Sequence, residues 1–398
     1  MASLLCCSYH CIVDPSSGAA QATRDLLALL AGRGWDCRVL CGPRVDFEMH
    51  HPLQQVLADD GLGCRQEVLQ AGAAAASILH VSGLPFPVTL YAPADARMPP
   101  TQAVGQPLLL MLERALNENQ PDILLTYGGH WIGRAIIAMA KRHGVRVVFA
   151  LHNFSYERSD LFSHVDGILT PSQFTTDYYL QHLGINSTPI PSPLDWGRLQ
   201  CQPADAGKTA EGRHVTFVNP QPDKGVFWFA RIAEQLNRQR PDIALLVKEG
   251  RGSSQWLSRS GLTIQNLKVM GMVPDPRDFY RQSRVVLMPS LWYESFGRVA
   301  AEATLNGIPV LASRRGALAE TLSTAGFLFD IPTHYTPQRL VLPTAQEVQP
   351  WVDTILRLYD DHDFYRVQRL RCLAAADAWR PEILGKRHEE FFFNVLGR

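Results

Sequence analysis

Two doubly wound α/β domains, each a Rossmann-like sheet, are what this sequence predicts, and three observations predict them. Short continuous apolar runs alternate with turns and helical patterns, as parallel sheets covered by helices require. The alternation is interrupted once, between residues 188 and 213, and then restarts. The 398 residues also amount to about two or three domains of average size.

The elements follow in order. Residues 4–13 read as a first strand, followed by Pro15-Ser-Ser-Gly-Ala-Ala and a helix to about Gly32 with Leu26, Leu27, Leu29 and Leu30 on one face. Residues 37–41 form the next strand. Residues 122–126, the turn Tyr127-Gly-Gly-His130 and an apolar-periodic helix to His143 repeat the unit, and 145–151 and 167–170 read as further buried strands. The segment 188–213 holds four prolines with Gly197, Gly207 and Gly212, which marks a linker. Beyond it, 214–218, 243–247, 267–272, 285–288, 309–312 and 326–329 read as strands, and 226–238, 298–306 and 317–322 as helices. Residues 369–398 are helical by pattern, broken at Pro381. The expected domains are therefore 1–193 and 194–375, which would face one another across a cleft, with 376–398 as a closing helical segment.

Composition excludes several classes. A 46% hydrophobic and 19% charged chain is an ordinary globular protein. With 38 Lys+Arg against 38 Asp+Glu, no overall charge attracts nucleic acid. Six of the eight cysteines lie in the first 64 residues, none in C-x-x-C; they read as small buried hydrophobes with reduced thiols. The start carries no basic n-region or cleavage pattern, and no stretch approaches the ~20 apolar residues of a membrane span. A cytoplasmic protein is expected. No metal site is expected: Asp361-His-Asp363 reads as a helix start, and G-x-S-x-G, P-loop and H-E-x-x-H patterns are absent.

The densest chemistry lies in Pro289-Ser-Leu-Trp-Tyr-Glu294-Ser-Phe-Gly-Arg-Val-Ala-Ala-Glu302. On one continuous helix its two glutamates would be separated by ~12 Å of rise and ~80° of turn. Two carboxylates so spaced suit a ligand with two separated diols, and the backbone N–H groups of Ser295, Phe296 and Gly297 open a helix N-terminus that favours an anion. Solvated glutamates on an amphipathic helix are the plain alternative. His152, in Leu151-His152-Asn153, follows a buried strand at the carboxyl edge, where ligands bind in such sheets.

These residues carry a resemblance. Glu294-Ser-Phe-Gly-x4-Glu302 resembles the E-x7-E signature of retaining nucleotide-sugar glycosyltransferases of the GT-B architecture, family 4-like. Asn306-Gly-Ile-Pro-Val-Leu-Ala and Gly316-Ala-Leu-Ala-Glu320 look like that family's next strand and glycine loop. Thr170-Pro-Ser172, Leu183-Gly-Ile, Ile190-Pro, Asp195, Phe217-Val-Asn-x-x-x-Lys224-Gly225, Gly271 before Val273-Pro, and Ser17-Gly18 follow at similar spacing. The resemblance spans about residues 17–320 and implies a C-terminal helix crossing back to the first domain.

By that resemblance Glu294 holds donor-sugar hydroxyls, Glu302 the ribose diol, Lys224 the diphosphate, and His152 the reacting end of the sugar. Gly18 would let the first loop approach the diphosphate. Ser295, Phe296 and Gly297 complete the donor side. The implied reaction uses a nucleotide-sugar and a glycan or lipid-linked acceptor hydroxyl, retains anomeric configuration, and needs no metal or other cofactor. Peripheral membrane contact stays open, because lipid-linked acceptors are common in the family. One departure is clear: Asn219-Pro220 stands where the family has Gly-Arg, and a neutral amide cannot supply that charge, which leaves Arg251 or Arg298 as substitutes. Acceptor choice is expected in loops 43–52 and 84–100, and base choice near 270–273. Three other readings compete: an epimerase of the same architecture, a catalytically silent relative, and a two-lobed solute-binding protein, the last disfavoured by the chain start and the cysteines.

Overall fold

The computed structural model describes residues 2–45, 53–70, 76–93, 100–201 and 212–398. The loops at 43–52 and 84–100 and the middle of the linker fall partly outside these residues. The chain divides into two compact units, Met1–Pro193 with Pro381–Arg398, and Leu194–Arg380.

The first unit is built on β1 (Ser3–His10), β2 (Asp36–Arg44), β3 (Gly63–Gln70), β4 (Ala76–Ser82), β5 (Val88–Pro93), β6 (Ile123–Thr126), β7 (Arg146–Ala150), β8 (Gly167–Thr170) and β9 (Thr188–Pro189). Their order in the sheet is β3-β4-β5-β2-β1-β6-β7-β8-β9. From β5 through β2 and β1 to β9 the pairs are parallel. The antiparallel β3-β4-β5 meander departs from the all-parallel expectation. Its outer strand leaves Val68 and Leu69 exposed, so neither a buried run nor an in–out alternation is present to be read.

The first strand also ends earlier than residue 13. Its register with β2 shifts between Ser8 and His10. Asp14 then accepts the backbone N–H and hydroxyl of Ser16, each at 2.8 Å, turning the chain into the helix Gly18–Ala31. Pro381 opens the last helix, Pro381–Leu396, the position at which proline's missing N–H costs nothing. That helix packs within the first unit. Glu389 accepts from Arg33 at 2.6 Å and from Trp35 Nε1 at 3.3 Å, and Phe393 lies 5.2 Å from the Trp35 ring.

The second unit contains β10 (His214–Val218), β11 (Ala244–Lys248), β12 (Leu267–Met270), β13 (Ser283–Met288), β14 (Val310–Ser313) and β15 (Phe327–Phe329). All pairs are parallel and the order is β12-β11-β10-β13-β14-β15. That is the doubly wound order whose direction reverses between the first and fourth strands, so loops leaving β10 and β13 diverge around a crevice at their carboxyl ends. The helix Val226–Gln239 buries Phe229 against Phe217 at 4.7 Å and Trp228 near Trp351 at 6.2 Å. The helices Gln102–Asn119 and Ala345–Asp360 were not expected; each carries an internal proline, Pro107 and Pro350, which reads as a breaker.

The chain enters and leaves the second unit at neighbouring points. Trp196 Nε1 donates to the Trp379 carbonyl at 3.1 Å, and the Arg380 guanidinium lies 5.4 Å over the Trp196 ring.

Candidate active site

In the second unit, the loop after β10 delivers Lys224 and the loop after β13 delivers Glu294. Gly225 makes this approach feasible: its φ is +80°, and a Cβ there would stand 1.9 Å from the Pro289 carbonyl oxygen. Lys224 Nζ lies 2.8 Å from Glu294 Oε1. The same oxygen accepts from Ser290 Oγ at 2.8 Å and Trp292 Nε1 at 3.1 Å. Oε2 takes none of these three hydrogen bonds. The Trp292 ring covers Lys224, 4.4 Å from ammonium to centroid. Burial alone would raise the Glu294 pKa, but the Lys224 charge and the three hydrogen bonds outweigh it and hold the carboxyl below its ordinary value. The residue is a buried carboxylate with its charge held on one side.

Its backbone is clamped as well. Glu294 bridges to Gly316, and its carbonyl accepts from Ala317 N–H at 2.7 Å. A Cβ on Gly316 would lie 2.3 Å from the Glu294 carbonyl oxygen and 2.4 Å from its nitrogen, at φ +67°. Gly316→Ala is therefore expected to lower stability by about 2 kcal/mol and displace Glu294. Calorimetric melting checks this, and an unchanged midpoint would show that the clamp yields without cost.

Glu302 sits on the second turn of the helix Arg298–Leu305, which starts after Gly297 in the left-handed region. It is buried, with Arg298 Nε 2.8 Å from Oε1 and the Tyr280 hydroxyl donating to Oε2 at 2.7 Å. Burial, and then the Glu302 charge, push the Tyr280 phenol well above its ordinary pKa. Lys248, ending β11, lies with its ammonium 6.0 Å from the Phe279 ring centroid. Burial lowers its pKa and the Glu302 charge opposes that. Arg298 is thus engaged by Glu302. Phe296 is buried: it meets Trp379 edge-on at 6.0 Å, and its carbonyl accepts from the Thr321 hydroxyl.

Asn219 adopts φ +57°. Its N–H donates to the Lys248 carbonyl at 2.9 Å and its carbonyl accepts from Gln221 N–H at 2.7 Å. Its side chain packs against Gly250, and Gly252 packs against the neighbouring Pro220 backbone. Arg251 lies between those glycines, so a cation is carried on the loop that touches Asn219-Pro220.

In the first unit the sheet reverses direction between β1 and β6, and three rings gather at the carboxyl ends of β1, β6 and β7. His10 stacks on Tyr127 at 5.5 Å, and His152 meets Tyr127 edge-on at 5.4 Å. Ser8 Oγ donates to the Tyr127 carbonyl at 3.0 Å, and His152 Nε2 lies 3.1 Å from Thr23 Oγ1. Gly18 opens the helix Gly18–Ala31 behind the Ser17 cap, and a Cβ there would meet nothing within 4 Å. His10 escaped the sequence reading because that strand was carried on to residue 13; its place at a strand end was the available signal. Asp361 caps the helix His362–Ala376, accepting from Phe364 N–H at 2.8 Å, so the D-x-D match is a helix start. Among the described residues no group of three or more His, Cys, Asp or Glu could hold a metal ion.

The two sheets define the class: solved structures of the same architecture match nearly the whole chain. Sucrose-phosphate synthase from Thermosynechococcus elongatus superposes with a TM-score of 0.71 at 15% identity, covering 100% of both chains. Anabaena HepE in complex with UDP-glucose superposes at 0.69 and 17% identity, covering 99% of this chain and 100% of that one. At those identities the likeness shows the GT-B fold. The family described as Glycosyltransferase Family 4 matches residues 16–195, and Glycosyl transferases group 1 matches 212–361. The chain belongs to the family 4-like glycosyltransferases. Among curated relatives, the phosphatidyl-myo-inositol mannosyltransferase of Mycolicibacterium smegmatis is 28% identical over 228 residues, 53% of this chain and 58% of the relative. The D-inositol 3-phosphate glycosyltransferase of an Arthrobacter species is 36% identical over 168 residues, 40% and 37% of the two chains. The chain spans about half the length, or less, of these relatives. No described helix is long and apolar enough to cross a membrane.

Proposed function

We propose that this protein transfers a sugar from a nucleoside-diphosphate sugar to an acceptor hydroxyl with retention of anomeric configuration. The observation that carries this reading is the convergence of Lys224, Ser290 and Trp292 on one oxygen of Glu294. A carboxylate anchored through Oε1 presents an ionised Oε2 with lone pairs for sugar hydroxyls. The ammonium beside it suits the phosphate charge that grows as the anomeric bond breaks. Lys224 supplies that stabilisation here without a metal, and Arg251 supplements it where Asn219-Pro220 brings no charge. Glu302, anchored by Tyr280 and Arg298, retains lone pairs for the ribose diol. Ser295 and Gly297 line the same helix start, and Phe296 fixes it by packing.

His152 is assigned to the reacting end of the sugar and Gly18 to the approach of the first loop. The departing phosphate helps remove the acceptor proton, so Glu294 positions and stabilises rather than attacks. The inositol-directed relatives favour a polyol or lipid-linked polyol acceptor, met in the cytoplasm or on a membrane's cytoplasmic face.

Thermal melting against UDP-, GDP- and ADP-sugars tests the donor class. One base family should raise the midpoint, and Glu302→Gln should weaken its binding by about tenfold, the worth of a hydrogen bond to a charged group. No shift with any nucleotide would favour the catalytically silent reading.

A further inference from the structure

The second unit holds a cation that no motif singles out. Lys248 is the last residue of β11, paired with Val218 of β10 on one side and Met270 of β12 on the other. Its carbonyl accepts from Asn219 N–H at 2.9 Å, and Glu249 N–H donates to the Met270 carbonyl at 2.8 Å. Its backbone is thus fixed at the carboxyl edge of the sheet, where ligands bind in this architecture. The side chain is partly buried, and its ammonium lies 6.0 Å from the centroid of the buried Phe279 ring, the outer limit of a cation–π contact. The Phe279 ring is 4.0 Å from that of Tyr280, whose hydroxyl donates to Glu302.

An ammonium drawn out of water calls for a counter-charge. Among the described residues Lys248 makes no hydrogen bond or ion pair, and the Glu302 charge acts on it only from a distance. The carboxylates around it are engaged elsewhere. Glu249, next in the chain, accepts from Ser254 N–H at 2.6 Å, and Glu302 is held by Arg298 and Tyr280. Burial accordingly lowers the Lys248 pKa against the pull of Glu302. A cation kept at such a cost to folding suits an anion supplied from outside the chain.

Its position says which anion. Lys224 stands beside Glu294, at the end of the site assigned above to the sugar. Lys248 stands in the field of Glu302, at the end assigned to the ribose. In a nucleoside-diphosphate sugar the negative group next to the ribose is the nucleoside-linked phosphate, joined to it through the 5′ carbon. We propose that Lys248 binds this phosphate, carrying on β11 the charge that Asn219-Pro220 leaves out of the β10 loop. The assignment rests on the proposed function.

Lys248→Met keeps the apolar stem and removes the charge. Without nucleotide its melting midpoint should equal or exceed that of the wild type, because an unpaired ammonium leaves a partly desolvated site. A lower midpoint would make Lys248 a structural residue and overturn the proposal. Calorimetric titration with the nucleoside diphosphate selected by melting, and with its monophosphate, should show about tenfold weaker binding of both, the worth of a hydrogen bond between charged groups. The variant's affinity should also fall less steeply with added salt, and Lys248→Arg should recover most of the loss. Unchanged affinity, a loss confined to the diphosphate, or a salt dependence equal to that of the wild type overturns the assignment. A wild-type protein that binds no nucleotide would instead overturn the proposed function, and this inference with it.

Discussion

Glu294→Gln is expected to lower turnover about a hundredfold, the scale of losing one preorganised electrostatic partner, while leaving the donor KM unchanged or lower. Glutamine keeps the shape and an accepting oxygen, so Ser290 and Trp292 retain a partner. The negative charge is what disappears. Lys224, now paired at 2.8 Å and 15% exposed, would keep its ammonium without a counter-charge and lean further toward the diphosphate. Binding of the donor thus holds or improves as the reacting sugar loses its anchor, a split that general misfolding would not produce. Steady-state kinetics with the nucleotide selected by melting checks it. Wild-type turnover would remove Glu294 from the reacting end.

The second large effect is on stability in mild acid. His388 is wholly buried, its Nδ1 is 2.8 Å from the Leu384 carbonyl, and Nε2 has no hydrogen-bond partner among the described residues. The carbonyl claims the single ring proton, so a second would enter the core on an unsatisfied nitrogen. Burial lowers the pKa from 6.5 to about 4, with the Leu384 bond opposing. Between those values the unfolded chain binds a proton that the folded chain refuses, so stability falls as pH drops through the window, by about 3 kcal/mol at pH 4. Chemical unfolding of wild type and His388→Leu between pH 7 and pH 4 measures this. The wild type should lose about 3 kcal/mol more than the variant, and parallel curves would refute it.

The second unit was the more legible in sequence. Its strands lie inside a parallel sheet, where both faces are covered and the apolar runs are continuous; residues 214–218 coincide with β10 for that reason. The first unit was legible only where the same condition holds, as at 167–170 in β8. Its outermost strand, β3, with Val68 and Leu69 exposed, carried no period to read. At the site, spacing drew attention to Glu294 and Glu302, and the family resemblance added Lys224. Their pairings were not legible: Lys224 meets Glu294 across 70 positions, Tyr280 meets Glu302 across 22, and Thr23 meets His152 across 129. Such contacts are products of the sheet order, which local periodicity does not encode.

The Trp196–Trp379 hydrogen bond makes Leu194–Arg380 a cassette whose two ends are already fastened together from within. An excised cassette has little end-to-end entropy left to lose on closing, because its own packing holds the ends adjacent. On the proposed function, the donor chemistry assigned to this unit would then be portable at 193/194 and 380/381 without redesigning its interior. On that reading, a lineage exchanging halves at these two joints would change what receives the sugar while keeping what delivers it.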